Sequence, residues 1–414
     1  MTRRRELLLA AAALPMVRAK AAAPARVVVV GGGYGGATAA KYLRLFSGGA
    51  IEVVLVEPEE AFVSCPMSNL VLAGRWQMGD ITRSIGGLAS RHGVRIVRDR
   101  ARAVDVERRE LRLARGEPIG YDKLILSPGI DMIWNEVEGL SAARDRVLQA
   151  WKAGPETAAL RRQLEAMPDG GVFAITIPEA PYRCPPGPYE RACLVADWMR
   201  EAKPRAKLLI LDANPDVTSK GLLFKKVWAD QHAGRIEYRP QNKLVAIEGD
   251  TLKFELADDV RADVINALPP MRAGQIAVDA GLANSNGRWC QVRFQNFAST
   301  AAPHIHVIGD AIQIANAMPK SGHMANAQAK VTAAAITAEL SGMEIDPAPM
   351  LMNTCYSFTD ARNAVHVASV HAYAAAEATF KPVAGAGGLS AAPNEMEARY
   401  AFNWAKTIWA DMLD

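Results

Sequence analysis

Four consecutive valines, Val27 to Val30, run directly into Gly31-Gly32-Gly33-Tyr34-Gly35-Gly36. An unbroken β-branched run of this length reads as a strand buried on both faces, as in a parallel sheet. Ala37 to Phe46 follows with helical composition. Gly31, Gly33 and Gly36 fit the spacing G-x-G-x-x-G. The first glycine permits the tight turn, the second lets a pyrophosphate approach the backbone, and the third lets the helix pack on the strand, with the phosphate at the helix N-terminus. A second strand, Ile51 to Val56, ends at Glu57, 21 residues beyond Gly36. A carboxylate at that place accepts hydrogen bonds from the ribose hydroxyls of a dinucleotide. Strand, turn, helix and acid together predict a Rossmann-like α/β domain.

A chain of 414 residues, half of them hydrophobic and 22% charged, should form two or three packed domains rather than a disordered polymer. No uninterrupted apolar run reaches the roughly 18 residues needed to span a bilayer, so no integral membrane segment is expected. Five cysteines are too few for a disulfide scaffold. The net charge of +4 is too weak to argue for nucleic acid. Even that charge is concentrated at the start. Arg3-Arg4-Arg5-Glu6 precedes a short apolar stretch, Leu7 to Val17, and then Ala19-Lys20-Ala21, the layout of an export signal. The paired arginines resemble a twin-arginine signal, which exports proteins already folded around their cofactors. Cleavage near Ala21 would leave 43 basic and 43 acidic residues, a neutral mature chain in an oxidising periplasm.

The far end of the chain chooses between dinucleotides. His304-Ile305-His306-Val307-Ile308-Gly309-Asp310 is a short strand ending in Gly-Asp. It resembles the second FAD motif of flavoproteins with two dinucleotide-binding domains, in which the aspartate holds the ribityl chain. Tyr121 to Gly129 resembles the strand those proteins place beside FAD before crossing to their second domain. FAD is therefore the expected cofactor, with Met318 to His323 bringing backbone N–H groups and Lys320 to the flavin pyrimidine edge. In relatives of this fold a second glycine-rich turn binds NAD(P)H. Here the corresponding strand, Val172 to Ile177, runs into Pro178-Glu179-Ala180-Pro181-Tyr182-Arg183-Cys184-Pro185-Pro186-Gly187-Pro188-Tyr189-Glu190. Prolines donate no backbone N–H and cannot cradle a pyrophosphate, so no NAD(P)H site is expected.

Disulfide reductases carry two cysteines shortly after the acidic residue that binds ribose. This chain has one, Cys65, which excludes a local dithiol. Cys184 lies in the proline turn and Cys355 in Asn353-Thr354-Cys355-Tyr356, 171 residues later, a spacing that does not show whether they meet. The run Tyr182 to Cys193, with Asn353 to Ser357 and the single Cys65, resembles the flavin subunit of flavocytochrome c sulfide dehydrogenase, a relative of sulfide:quinone oxidoreductase. The resemblance covers essentially the whole mature chain. It implies that Cys65 binds the flavin as a thioether and that Cys184 and Cys355 form a redox-active disulfide beside the flavin ring. It also implies that a separate c-type cytochrome subunit takes the electrons. There is no C-x-x-C-H for haem in this chain, so haem would sit on that partner.

The chemistry suits that resemblance. Hydrosulfide is a soft nucleophile and a disulfide sulfur its natural target. Which sulfur is attacked is open; Cys355 follows the FAD-binding half and is expected to face the flavin. Glu190 could move a proton if burial raises its pKa, or could be a surface carboxylate in the first turn of a helix. Cys193 and Cys290 read as structural, although a disulfide between them is conceivable, and the histidines form no spaced metal set. Val383 to Gly388 reads as a loop and Tyr400 to Trp409 as an aromatic helix.

The expected architecture is α/β: two Rossmann-like domains, as in disulfide-reductase-like flavoproteins, plus a C-terminal interface domain. The divisions are an export signal at 1–23, an FAD-binding domain at 24–137 and 273–345, a second Rossmann-like domain without an NAD site at 138–272, and the interface domain at 346–414. The expected activity is periplasmic oxidation of hydrogen sulfide to sulfur or polysulfide. The alternatives are a sulfide:quinone oxidoreductase and a non-catalytic electron-transfer flavoprotein of a sulfur-oxidation complex.

Overall fold

The computed structural model describes residues 23–414, so all but the last residue of the expected export signal lies outside the described residues. In chain order the elements that frame the site are β1 (Arg26–Val30), α1 (Tyr34–Phe46), β2 (Glu52–Val56), β3 (Arg95–Val97) and β4 (Lys123–Leu126). They are followed by β5 (Val172–Ile177), α2 (Gly187–Ala202), β6 (Lys207–Asp212), α3 (Gly221–Gln231), β7 (Ile236–Arg239) and β8 (Val264–Ala267). The chain then forms β9 (Val292–Arg293), β10 (Ala298–Ser299), β11 (Ile305–Val307) and α4 (Gly322–Leu340). It ends with β12 (Met350–Phe358), β13 (Ala364–Ala374), β14 (Thr379–Leu389) and α5 (Glu395–Leu413).

The first sheet has the order β9-β10-β11-β4-β1-β2-β3, parallel from β11 to β3. β1 lies between two parallel neighbours, with Val28 opposite Val54 on one side and Leu124 on the other. Helices cover both faces of such a sheet, which is why its valines are continuous rather than alternating. Val27, Val28 and Val29 are completely buried. Each contributes about 2 kcal/mol of burial energy to the core. The second sheet, β7-β6-β5-β8, is wholly parallel, with α2 crossing from β5 to β6 and α3 from β6 to β7. These are the two Rossmann-like units expected from the sequence.

The C-terminal region is an antiparallel sheet, β12-β13-β14, followed by α5, which returns to α1. Asn394 caps α5 by accepting the Glu397 N–H at 2.9 Å. Asp411, near the other end, accepts from Tyr42 on α1 and from Asn326 on α4. The loop expected at Val383 to Gly388 is instead part of β14. Small residues suggested a turn, but here they allow close strand approach. A Cβ at Gly387 would sit 2.3 Å from the Ala368 carbonyl oxygen on β13. β9 is confined to Val292–Arg293, and Cys290 just before it makes only an isolated bridge to Ile312.

Candidate active site

A cleft of about 340 Å³ opens where the two Rossmann-like units and the C-terminal sheet meet. Gly33, Glu57, Cys65, Cys184, Asp310 and Cys355 all line it. On one side is the turn from β1 to α1. Gly31 has φ +97°, a backbone shape that favours glycine. A Cβ at Gly36 would approach the Gly31 carbonyl oxygen to 1.8 Å, so helix and turn can close only on a bare backbone. Gly33 has open space around it, at the N-cap of α1. The Glu57 carboxylate, one residue past β2, accepts N–H bonds from Gly32 at 2.6 Å and Glu59 at 2.9 Å and borders the cleft.

Three cysteines line the same cleft. Cys184 precedes Pro185, which disfavours the right-handed helical region, and it adopts φ +57°. Its N–H donates to the Lys320 carbonyl at 2.8 Å, and its own carbonyl accepts from Gly187 at 2.9 Å. Cys355 comes from the middle of β12 and lines the same cleft as Cys184; both are free thiols, near enough for each to perturb the other's ionisation. In this pair the Cys184 thiol is pushed up, by its bond to Cys355 and by burial, while that bond draws Cys355 down, helped by the Lys220 ammonium. Cys65 lines the same cleft, its Sγ accepting the Ala153 N–H at 3.4 Å.

Glu190 is not a surface carboxylate. Although it sits in the first turn of α2, it is buried, and desolvation pushes its carboxyl up to about 7. It accepts from the Phe358 N–H on β12 at 3.0 Å and from Asn69 Nδ2 at 3.1 Å. Asn69 also accepts from Arg191 Nε, so it couples two neighbouring residues of α2 to the cleft wall. Lys320 departs from its expected place. Its ammonium donates to the Asp310 carbonyl at 2.9 Å and the Ile312 carbonyl at 2.6 Å, and lies 3.6 Å from the Trp289 ring centre, not in the cleft wall. Three acceptors of this kind compensate the burial of its charge, and desolvation lowers it to about 7.

Sequence reasoning singled out neither Asn69 nor Lys220, and it gave Arg183 no role. Arg183 lines the cleft, donates to the Trp151 carbonyl, and is held charged by Cys65, Asp310 and Cys184 around it. Its adjacency to Cys184 in the proline turn was the available signal. Asn69 and Lys220 are brought in by the fold. Cys193 is fully buried and accepts from the Trp228 indole N–H at 3.3 Å. Cys290 is likewise buried, and both are free thiols.

Residues 157–269 match the family described as the sulfide dehydrogenase (flavocytochrome c) flavoprotein chain, central. Residues 347–413 match the flavocytochrome c sulphide dehydrogenase flavin-binding family, and residues 25–163 the pyridine nucleotide-disulphide oxidoreductases. Over 38 residues the chain is 65% identical to the sulfide dehydrogenase (flavocytochrome c) flavoprotein chain of Chlorobaculum thiosulfatiphilum, covering 9% of this chain and 77% of that sequence. The chain belongs to the flavocytochrome c sulfide dehydrogenase flavoprotein family.

More distantly, it is 25% identical over 264 residues to the mitochondrial sulfide:quinone oxidoreductase of Dictyostelium discoideum, covering 60% of this chain and 57% of that protein's length. The solved structure of the sulfide:quinone oxidoreductase of Aquifex aeolicus superposes with a TM-score of 0.78 at 17% identity, covering 94% of this chain and 91% of that one. A putidaredoxin reductase, solved in complex with putidaredoxin, superposes at 0.65 with 18% identity over 95% and 94%. At these identities the structural matches speak for the fold.

The cleft fits the flavin that this family binds. Glycine backbone lies open at Gly33, where a side chain would otherwise fill the approach to α1. Asp310 Oδ1, also on the cleft wall, is buried with no hydrogen-bond donor among the described residues, and burial pushes its carboxyl up. An orphaned carboxylate oxygen on the cleft wall is satisfied by a hydroxyl-bearing ligand.

Proposed function

We propose that this chain is a periplasmic, FAD-dependent sulfide dehydrogenase. It would oxidise hydrogen sulfide to sulfur or polysulfide through a disulfide between Cys184 and Cys355 and pass electrons to a c-type cytochrome. The observation that carries this reading is the meeting of those two thiols, from distant parts of the chain, in the same cleft as the glycine turn. FAD would be held by Gly31, Gly33 and Gly36 at its pyrophosphate, by Glu57 at the adenosine ribose and by Asp310 at the ribityl chain, with Cys65 as the point of covalent attachment. When bound, FAD supplies a two-electron acceptor that can release electrons singly to haem.

The protein's own part is to present the sulfurs and handle protons. Hydrosulfide attacks one sulfur of the disulfide; a new S–S bond forms, the old one breaks, and its electron pair leaves with the departing cysteine as thiolate. The attacked cysteine becomes a persulfide, whose proton passes to Glu190 when that group is ionised. With a carboxyl near 7, Glu190 can both accept and release a proton near neutrality. The reading also holds that NAD(P)H has no part. The turn after β5 carries prolines where N–H donors would be needed, and Asp212 at the end of β6 is enclosed by tyrosines.

The test is to add sulfide and oxidised cytochrome c to the purified protein and follow haem reduction. Sulfide-dependent reduction is expected, with NADH inactive. The second reading, a sulfide:quinone oxidoreductase, draws on the Aquifex aeolicus superposition. Reduction of a soluble quinone in preference to cytochrome c would favour it. Absence of sulfide oxidation with either acceptor overturns both. Yellow colour remaining with the polypeptide after acid denaturation checks the thioether separately.

A further inference from the structure

Lys220 is a buried lysine that the reaction as described does not use. It precedes α3 with φ +59°, and its side chain reaches out of the second Rossmann-like unit to the C-terminal sheet. There its ammonium donates to the Cys355 carbonyl at 2.7 Å and to Ser357 Oγ at 2.7 Å. Both partners are neutral, so among the described residues the positive charge has no bonded counter-ion beside the cysteine pair. Burial lowers the pKa of this ammonium, and Cys355, Glu190, Cys184 and Glu397 of α5 act in the opposite direction. Cys184, for its part, faces Cys355, Glu190 and the Arg183 guanidinium. A buried ammonium is costly unless some nearby anion compensates it. The anions available here are a thiolate of the cysteine pair and, when ionised, the Glu190 carboxylate.

We propose that Lys220 is the positioning residue of the sulfur pair: it holds negative charge on Cys355 whenever the disulfide is open, and so makes Cys184 the sulfur that hydrosulfide attacks. This rests on the disulfide reading above. In thiol–disulfide exchange the better leaving group is the sulfur whose thiolate is more stable. Hydrosulfide brings one negative charge; the Cys184–Cys355 bond breaks, a persulfide forms on Cys184, and the charge leaves on Cys355 beside the ammonium. No further oxidant or reductant enters this step.

The experiment reads each thiol separately and needs no sulfide. The reduced holoprotein is alkylated with iodoacetamide across pH 5–10, and modification of the Cys184 and Cys355 peptides is followed by mass spectrometry. In the wild type, Cys355 should react faster than Cys184 at pH 7, with a midpoint below the free-thiol value of about 8.5. Lys220→Gln, which keeps donors but removes the charge, should raise the Cys355 midpoint by about one unit, roughly a fivefold loss of rate at pH 7. Lys220→Arg should restore it. Because Glu190 titrates in the same range, the difference should persist in a Glu190→Gln background. An unchanged midpoint in Lys220→Gln overturns the proposal, as does a faster Cys184 in the wild type, a comparison that needs no variant to fold. Lys220-dependent alkylation without sulfide turnover would sink the proposed function and leave Lys220's influence on Cys355 standing. Turnover with Lys220-independent alkylation would do the reverse.

Discussion

The turns after β1 and after β5 occupy equivalent places in two similar α/β units, yet they are built for opposite purposes. After β1 the chain spends glycines. Gly33 is open, Gly36 touches the Gly31 carbonyl, and Glu57 at the end of the neighbouring strand borders the cleft. After β5 the chain spends prolines, and the turn is filled. A Cβ at Gly187 would meet the Trp151 ring at 2.6 Å and Cys184 Sγ at 2.9 Å. The acid at the end of the neighbouring strand is Asp212, fully buried, accepting from Tyr189 at 2.6 Å and Tyr238 at 3.2 Å. The same crossover can therefore leave a hollow for a cofactor or fix a reactive side chain at its rim. What decides is whether the turn offers N–H groups and space or a rigid, filled backbone.

The largest effect should come from removing the sulfur that the second turn exists to hold. Cys184→Ser or Cys355→Ser should lower sulfide-dependent cytochrome c reduction by about a thousandfold or more, the scale seen when a nucleophile is removed. Flavin content, read from the visible spectrum, should stay at the wild-type level because the first turn is untouched. A variant that turned over normally would erase the functional distinction between the turns.

Next come the glycines. Gly36→Ala forces a methyl group against the Gly31 carbonyl and should cost about 3 kcal/mol or more, with loss of flavin on gel filtration. Gly187→Ala should instead retain flavin and lose about tenfold in turnover, because its methyl group displaces Cys184 or Trp151. If both variants lost flavin equally, the two turns would share one role.

The pH response of Glu190 sharpens the comparison further. Burial raises its carboxyl from 4.5 to about 7. Folding therefore favours its protonated form, a contribution complete below about 4.5 and lost as the pH rises through 7. Glu190→Gln, neutral throughout, should show a melting temperature that gains on the wild type between pH 5 and pH 8. Turnover of the wild type should rise through pH 7 as the carboxylate forms, and the variant should keep only the limb due to ionisation of the substrate itself. The smallest effect is expected at the enclosed acid. Tyr238→Phe removes one hydrogen bond to Asp212 and should cost about 1 kcal/mol in a denaturant melt, with flavin content and turnover unchanged.

Much of this was legible in the residues. The valine run, the glycine spacing and Glu57 announce a parallel strand, its turn and its acid, because each is a local rule with a local cause. The helical first turn considered for Glu190 is there, in α2, which begins at Gly187 with Pro188 at a position that gives up no needed N–H. The strand β14 was missed because its glycines and alanines signal a turn locally and are needed only for contact with β13. Lys320 was misplaced for a similar reason. Its number in the chain puts it near the cleft, but Trp289 and two carbonyls from other segments claim its ammonium. Lys220 and Asn69 carried no signal, since their partners lie on β12 and α2, far away along the chain.

The sequence by itself determined the valine strand, the glycine turn and the helices that follow the two turns, and that one turn is built of glycines and the other of prolines. Those outcomes depend on φ preferences, missing N–H groups and the spacing of apolar residues, all written within a few positions of one another. Only the tertiary structure decided that Cys184 and Cys355 line one cleft, that Glu190 is enclosed rather than solvated, and that an ammonium stands behind β12. Proximity and desolvation are properties of how distant segments pack, and both act on charge only once water has been excluded from between them.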